Sequence, residues 1–320
     1  MTWSRGTGVA LFAILTLAAA LAPAIAPTDP HRQFADYPYA PPMRLRLVDG
    51  QGEWHAPFAY RLVLANRLER TYAEDRARRV SLFEAFDEDA PLFLLGSDAL
   101  GRDVCSRLLF GARASLGIAI AASLGAILIG TLAGALAGYA GGLLDEAAMR
   151  VADIALVLPA IYVALALRAA LPLVLTPAQV FAAIAVVLAL VGWPMVARGV
   201  RAIVAVERRR DYAEAARAAG AGAARVLLVH VLPAARGFIG AQAALLIPAF
   251  VLAEATLSFV GFGFAEPIPS WGTMLQEAGS VRAFGDFPWL LAPAAAIAAV
   301  NFALSLIMSV SYRQDSRVQF

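Results

Sequence analysis

Residues 211–233 read DYAEAARAAGAGAARVLLVHVLP, a short alanine-rich run closed by glycine and set between two long apolar stretches. Its neighbours decide the fold class. The 320 residues are 60% hydrophobic and 16% charged, with a mean hydropathy of +0.69. That profile belongs to a polytopic membrane protein and not to a soluble domain. A net charge of +2 excludes the dominant basic field of a nucleic-acid binder. Every basic residue apart from the histidines is Arg. Cys105 is the lone cysteine, so no internal disulfide forms. His31, His55 and His230 are far apart, and no metal site is expected.

About 20 apolar residues are needed to cross a bilayer. Low-charge runs then predict six transmembrane helices in an all-α integral membrane protein. They fall at Val9–Ala26, Leu116–Tyr139, from near Ala147 to 167, 169–197, 237–259 and 287–312. The domain reading follows: an N-terminal tail and first helix over 1–26, an extracytoplasmic segment over 27–113, and a membrane core of five helices over 114–320 that includes the loop 198–236. Arg5, an apolar run and Ala24-Ile25-Ala26 also fit a cleaved secretory signal, although Pro27 follows at once.

Residues 198–236 hold eight arginines against three acids, which places that loop in the cytoplasm with both termini. The long segment 27–113 then faces outward, since long segments translocate largely regardless of charge. Gly130, Gly134 and Gly138 recur every four residues on one helix face. That stripe suits either packing within one bundle or pairing of two chains.

The 211–218 stretch reads as a helix. Asp211 is placed to cap it, Glu214 to close the capping box, and Gly220 to end it. Eight residues are too few for a helix to stand alone in water. It must lie either on its own bundle or in a groove of another protein, where alanines allow close docking.

Glu214-Ala215-Ala216, Gly220 and Leu232-Pro233 resemble, in order and spacing, the EAA motif of ABC-importer permeases. LLGSDALGRDVCSRLLFGARASL (94–116), GYAGGLLDEAAMRVADIALVLP (138–159), EATLSFVGFG (254–263) and PSWGTML (269–275) resemble the dipeptide/oligopeptide permease family, its second permease subunit most closely. The likeness covers about 94–300 well and 8–30 loosely. The long outer segment at 31–93 and an ending without asparagine-leucine-glycine-aspartate depart from it.

The resemblance implies a transmembrane subunit of the bacterial inner membrane that imports di- or oligopeptides. Its partners would be a homologous permease chain, two cytoplasmic ATPase subunits and an extracytoplasmic substrate-binding protein. The chain itself would bind no cofactor, and ATP and Mg would sit on the ATPases. Asp211, Tyr212, Glu214, Ala215, Ala216 and Gly220 would form the ATPase-coupling helix. Relatives that carry nickel chelates or glutathione leave those solutes as alternatives; an ATPase-independent channel or carrier would have no use for such a helix.

Lysine is absent, so no Walker A motif exists. No Ser/His/Asp set, G-x-S-x-G or H-E-x-x-H appears, and no catalytic residue is assigned. Asp145 and Glu146 read as a solvated turn. Glu254 is an intramembrane charge, read either as part of the translocation path or outer gate, or as hydrogen-bonded near the outer interface. Asp98, Arg102, Asp103, Arg107 and Arg113 form a charged cluster before the second span, serving either an outer partner contact or an internal ion-pair network. Trp271 is expected at the outer interface.

Overall fold

A computed structural model describes residues 2–49, 51–67, 69–81, 91–158, 162–163, 166, 175–264, 266–279 and 285–315, with side chains between residues 6 and 307. Helix α1 (Thr2–Ala20) leads into a short α2 (Ala22–Ile25). Three strands follow: β1 (Arg46–Val48), β2 (Trp54–Asn66) and β3 (Thr71–Ser81). Then come α3 (Val104–Ala140), α4 (Gly142–Val157), α5 (Pro177–Glu207), α6 (Asp211–Ala218) and α7 (Ala223–Phe259). The chain ends in α8 (Trp271–Ala278), a 3₁₀ turn at Pro288–Leu291 and α9 (Ala292–Asp315).

Among the described residues, four helices are long and apolar enough to span a bilayer: α3, α5, α7 and the stretch Pro288–Ile307. The apolar part of α1 covers Gly6–Ala20. The expected third span coincides with α4 up to Val157, and its remainder lies mostly outside the described residues.

Two boundaries differ from the sequence reading for visible reasons. Helix α5 starts at Pro177, not 169, because Thr176 and Gln179 form a reciprocal capping box: Gln179 N–H donates to Thr176 Oγ1 at 3.4 Å, and Thr176 N–H to Gln179 Oε1 at 2.9 Å. It runs past residue 197 because the arginines beyond are paired, Arg198 with Asp153 and Arg201 with Asp145. Helix α3 starts at Val104, where the Asp103 carboxylate takes the N–H of Ser106 at 2.8 Å.

The chain divides into two units. One holds residues up to Val9, Gly117–Leu257 and Phe302 onward; the other holds Ala10–Leu116 and Ser258–Asn301. In the first unit, the glycine stripe of α3 lies against the backbone of α5. A Cβ on Gly130 would stand 2.6 Å from the Trp193 carbonyl oxygen, on Gly134 2.3 Å from that of Ala197, and on Gly138 2.6 Å from that of Arg201. The stripe is therefore spent inside one chain. Helix α7 meets the opposite notches of α5. Phe238 fills the space at Gly199, and Phe250 the space at Gly192. Pro233 interrupts α7's ladder by removing a donor, and the helix absorbs it as a π turn over Val226–Val231 followed by a 3₁₀ turn over Leu232–Ala235.

The second unit corrects the all-α expectation. Its segment after the first helix carries an antiparallel sheet in the order β1-β2-β3, with Phe58 opposite Ser81 and Leu64 opposite Tyr72. Tyr37, Ala40, Met43, Ala59, Leu62, Val80, Leu92 and Phe93 form its core. Trp271 is 2% exposed, packed inside the second unit. Its indole N–H donates to the Leu108 carbonyl at 3.1 Å.

The glycine seam predicts a position-specific stability series. Gly134→Ala and Gly134→Val should lower the thermal midpoint of the purified chain, Val more. Gly240→Ala in α7, where a Cβ meets nothing within 4 Å, should leave it unchanged or raise it. Equal effects at the two positions would contradict the seam.

Candidate functional sites

The opening stretch forms α6 as eight residues, Asp211–Ala218. Its start differs from the expected cap. Arg210 occupies the cap position, no side chain caps the helix, and Asp211 lies inside the first turn with Glu214. Both acids there still oppose the positive end of the helix dipole. The end is as expected. Gly220 has φ +84°, its N–H donates to the Arg217 carbonyl, and Ala221 N–H reaches back to Ala216 at 3.0 Å, a Schellman closure.

Within its own unit, Ala213 is fully buried in a cluster with Val196, Val200, Val204, Val226, Leu227 and Val231, and Ala216 packs against it. These two, three residues apart, make the inward face. Asp211, Tyr212, Glu214, Ala215 and Gly220 are all exposed on the remaining surface. The base is braced by polar contacts. Arg217 donates to the Arg208 carbonyl at 2.6 Å, Arg208 donates to the Tyr139 carbonyl, and Tyr212 Oη donates to Glu207 at 2.6 Å. Arg201 grips Asp145 through two hydrogen bonds, so that acid is an anchor and not a solvated turn residue. Glu146 pairs with Arg150 on the surface.

The charged cluster before α3 lies in the other unit. Asp98 takes the backbone N–H groups of Leu100 and Arg102 on Oδ1 and the Arg102 guanidinium on Oδ2. Arg102 also donates to Glu266, and to Glu277 at 3.0 Å. Arg107 donates to the same Glu277 oxygen at 2.7 Å and lies 3.5 Å from both Asp98 and Glu266. Both arginines are at most 2% exposed. Two guanidinium groups and three carboxylates thus tie the start of α3 to the segment around α8. Asp103 stands apart as the helix cap: its carboxylate accepts from Ser106 and the Cys105 N–H, and its carbonyl takes the Arg107 backbone N–H at 3.0 Å. Arg113 lies over the Phe110 ring.

Sequence reasoning missed Glu266 and Glu277, more than 150 residues from the arginines. The available signal was their excess of charge beside an apolar span, which requires partners. Burial, and then the adjoining Glu266 carboxyl, push Glu277 up to about 8. Burial also opposes the charge on Glu266, but its hydrogen bonds with Glu277 and Arg102 and the charges of Arg107 and Arg102 outweigh it, leaving it at about 2. The pair therefore keeps one proton near neutral pH.

Glu254 is fully buried on the face of α7 that also carries Phe250, Val251 and Leu257. One further group has metal-ligand character. Ligand atoms of Asp49, Glu53 and His55 lie within 4.8 Å of one another. Arg79 already donates to Asp49 at 2.8 Å and touches His55 at 2.9 Å, so a guanidinium fills the place a cation would take.

A family model described as the binding-protein-dependent transport system inner membrane component matches residues 110–316. The chain belongs to this family. It is 34% identical over 271 residues to the di/tripeptide transport system permease protein DppC of Pseudomonas aeruginosa (strain UCBPP-PA14), covering 85% of this chain and 74% of that protein. It is 35% identical over 213 residues to the oligopeptide transport system permease protein OppC of Bacillus subtilis (strain 168), covering 66% and 67%. It is 44% identical over 196 residues to the dipeptide transport system permease protein DppC of Escherichia coli (strain K12), covering 61% and 62%. Among solved structures, the inward-facing MetNI methionine ABC transporter aligns with a TM-score of 0.48 at 17% identity, over 64% of this chain and 95% of that one. As a family member this chain is a multi-pass inner-membrane transport component, and its α6 segment falls within the matched region.

The proton held at Glu277 has a sign that can be checked. Its folded value lies above the ordinary 4.5, so the stability it contributes is complete below about 4.5 and is lost as pH rises through about 8. Thermal midpoints of the detergent-solubilised chain should fall over that window, and Glu277→Gln should flatten the slope. An unchanged slope in the variant would contradict the shared proton. Arg102→Ala, which takes the guanidinium hydrogen bond from the buried Asp98 carboxylate, should cost about 3–5 kcal/mol at any pH in between.

Proposed function

We propose that this chain is the permease subunit of an ATP-driven importer of di- or oligopeptides, worked by separate ATPase subunits that dock on α6. The carrying observation is the division of labour on that helix: Ala213 and Ala216 hold it to its own bundle while Asp211, Tyr212, Glu214 and Ala215 stay exposed. A helix of two turns with one small-residue face packed and the other open is built to be gripped from outside. Its Schellman closure and braced base let it move as one piece with α5 and α7, so a displacement applied to it reaches the spanning helices.

The peptide class is supported by the names of the relatives, each a permease of di-, tri- or oligopeptide systems. Nickel chelates or glutathione are the alternative cargo of the same machinery, and an ATPase-independent channel or carrier is the more distant reading. In the proposed topology six helices cross the membrane, both termini and α6 face the cytoplasm, and residues 27–113 face outward. A homologous permease chain completes the pathway and an extracytoplasmic binding protein delivers substrate. No chemistry is done on the cargo by this chain.

Two variants test the coupling. Gly220→Val places a β-branched residue at φ +84°, at a local cost of about 1–2 kcal/mol, and Glu214→Arg reverses an exposed charge. Both should cut ATP-dependent uptake of labelled alanyl-alanine at least tenfold while membrane insertion stays normal. Full uptake by both variants would refute the coupling role. Cysteine crosslinkers at Ala215 should capture the ATPase in intact membranes.

A further inference from the structure

Among the described residues, the sheet leaves part of one edge unpaired. Strand β1 pairs with β2 only between Val48↔Trp54 and Arg46↔Phe58, and then departs so that Met43 N–H can meet the Phe93 carbonyl at 2.8 Å. Strand β3 covers the other edge of β2 as far as Asn66. Among the described residues, no strand therefore pairs with the β1-side edge of β2 beyond Phe58. A cavity of about 480 Å³ lies along this stretch, lined by Leu62–Ala65 together with Asp36, Tyr37, Arg61 and Arg67. Its volume is that of an ordinary small-ligand site.

The charges along the cavity are not uniform. At the Arg61 end, that guanidinium donates to Tyr37 Oη at 3.0 Å, and the Asp36 and Asp75 carboxylates lie close enough to favour its charge. Asp36 itself is exposed. At the other end Arg67 is exposed and makes no ion pair within 4 Å among the described residues. Between the two ends, four residues of extended backbone rise roughly 3.3 Å each. That span suits a peptide of about three residues.

We infer that this groove is a binding site for short zwitterionic peptides, taken in extended form along the free edge of β2, with the peptide's ammonium toward Asp36 and its carboxylate toward Arg67. Main-chain hydrogen bonds to the open edge would supply affinity independent of the peptide's side chains. Both end charges would then select free peptides over internal segments of a folded protein. The inference rests on the peptide reading of the importer, but it concerns a separate binding event.

The test uses the full-length chain in lipid nanodiscs, without the binding protein, titrated calorimetrically with trialanine. Saturable binding is expected. N-acetyl-trialanine amide should bind at least tenfold more weakly, as should trialanine to the Asp36→Asn/Arg67→Gln double variant. No saturable binding, or equal binding of the blocked peptide to the unmodified chain, overturns the site even if the variant misfolds. Should the double variant instead weaken only the association of the binding protein, the edge is a protein contact and the peptide assignment falls. Uptake of trialanine by the assembled importer, measured in parallel, separates the two proposals. Uptake without binding discards the groove alone, and binding without uptake discards the transport reading.

Discussion

Three glycines of α3 lying against three carbonyls of α5 set the geometry of the first unit. In a bilayer, apolar surface gains little by leaving lipid for another helix, so burial alone does not choose which helices pair. Backbone proximity does, and only residues without a Cβ allow it at Gly130, Gly134 and Gly138. Helix α5 uses the same device on its other sides, receiving Phe238 at Gly199 and Phe250 at Gly192. It is thus the central post of that unit. Its lower end carries Arg201, bound to Asp145, and it leads directly into α6. A load on α6 would meet a seam packed without clearance, which transmits displacement better than a loop on a greasy surface could.

The second unit is organised by charge. Arg102 and Arg107 are too buried to be solvated, and their cost is offset only by the geometry of Asp98, Glu266 and Glu277 around them. With one proton on the two glutamates, two positive and two negative charges remain, and the cluster is neutral. A third full negative charge would exceed the two guanidinium charges at a largely buried group, and burial is the first cause of the shift at Glu277. Such a cluster specifies partners by number and direction, where apolar packing would tolerate a slip.

Much of this was legible from residue order because membranes impose simple rules. Long apolar runs had to be helices, and the small residues at 130, 134 and 138 had to face something close. Gly220 had to end the short helix, since only a left-handed residue closes a Schellman turn so cheaply. Other features were hidden for physical reasons. The first turn of α6 has two acids in plausible capping positions, and local sequence does not say which residue leaves the helical backbone conformation. Helix α5 began later than its hydropathy because a capping box at Thr176 overrode the apolar run. The strands were obscured by charge: β3 reads TYAEDRARRVS, and its pairing with β2 is a tertiary fact. Glu266 and Glu277 answer arginines so distant in sequence that no spacing rule connects them.

The groove inferred beside β2 would serve an importer only as a transient holding site. A groove there must hold a peptide weakly. At a dissociation constant of about 1 mM, binding is worth only about 4 kcal/mol. With association at about 10⁷ M⁻¹s⁻¹, such a site empties in roughly 0.1 ms. That is shorter than the millisecond-to-second cycle of a typical turnover. A nanomolar site in the same place would retain its peptide for about 100 s and stop the cycle. End-group charges and main-chain pairing are therefore the features that a transient holding site needs.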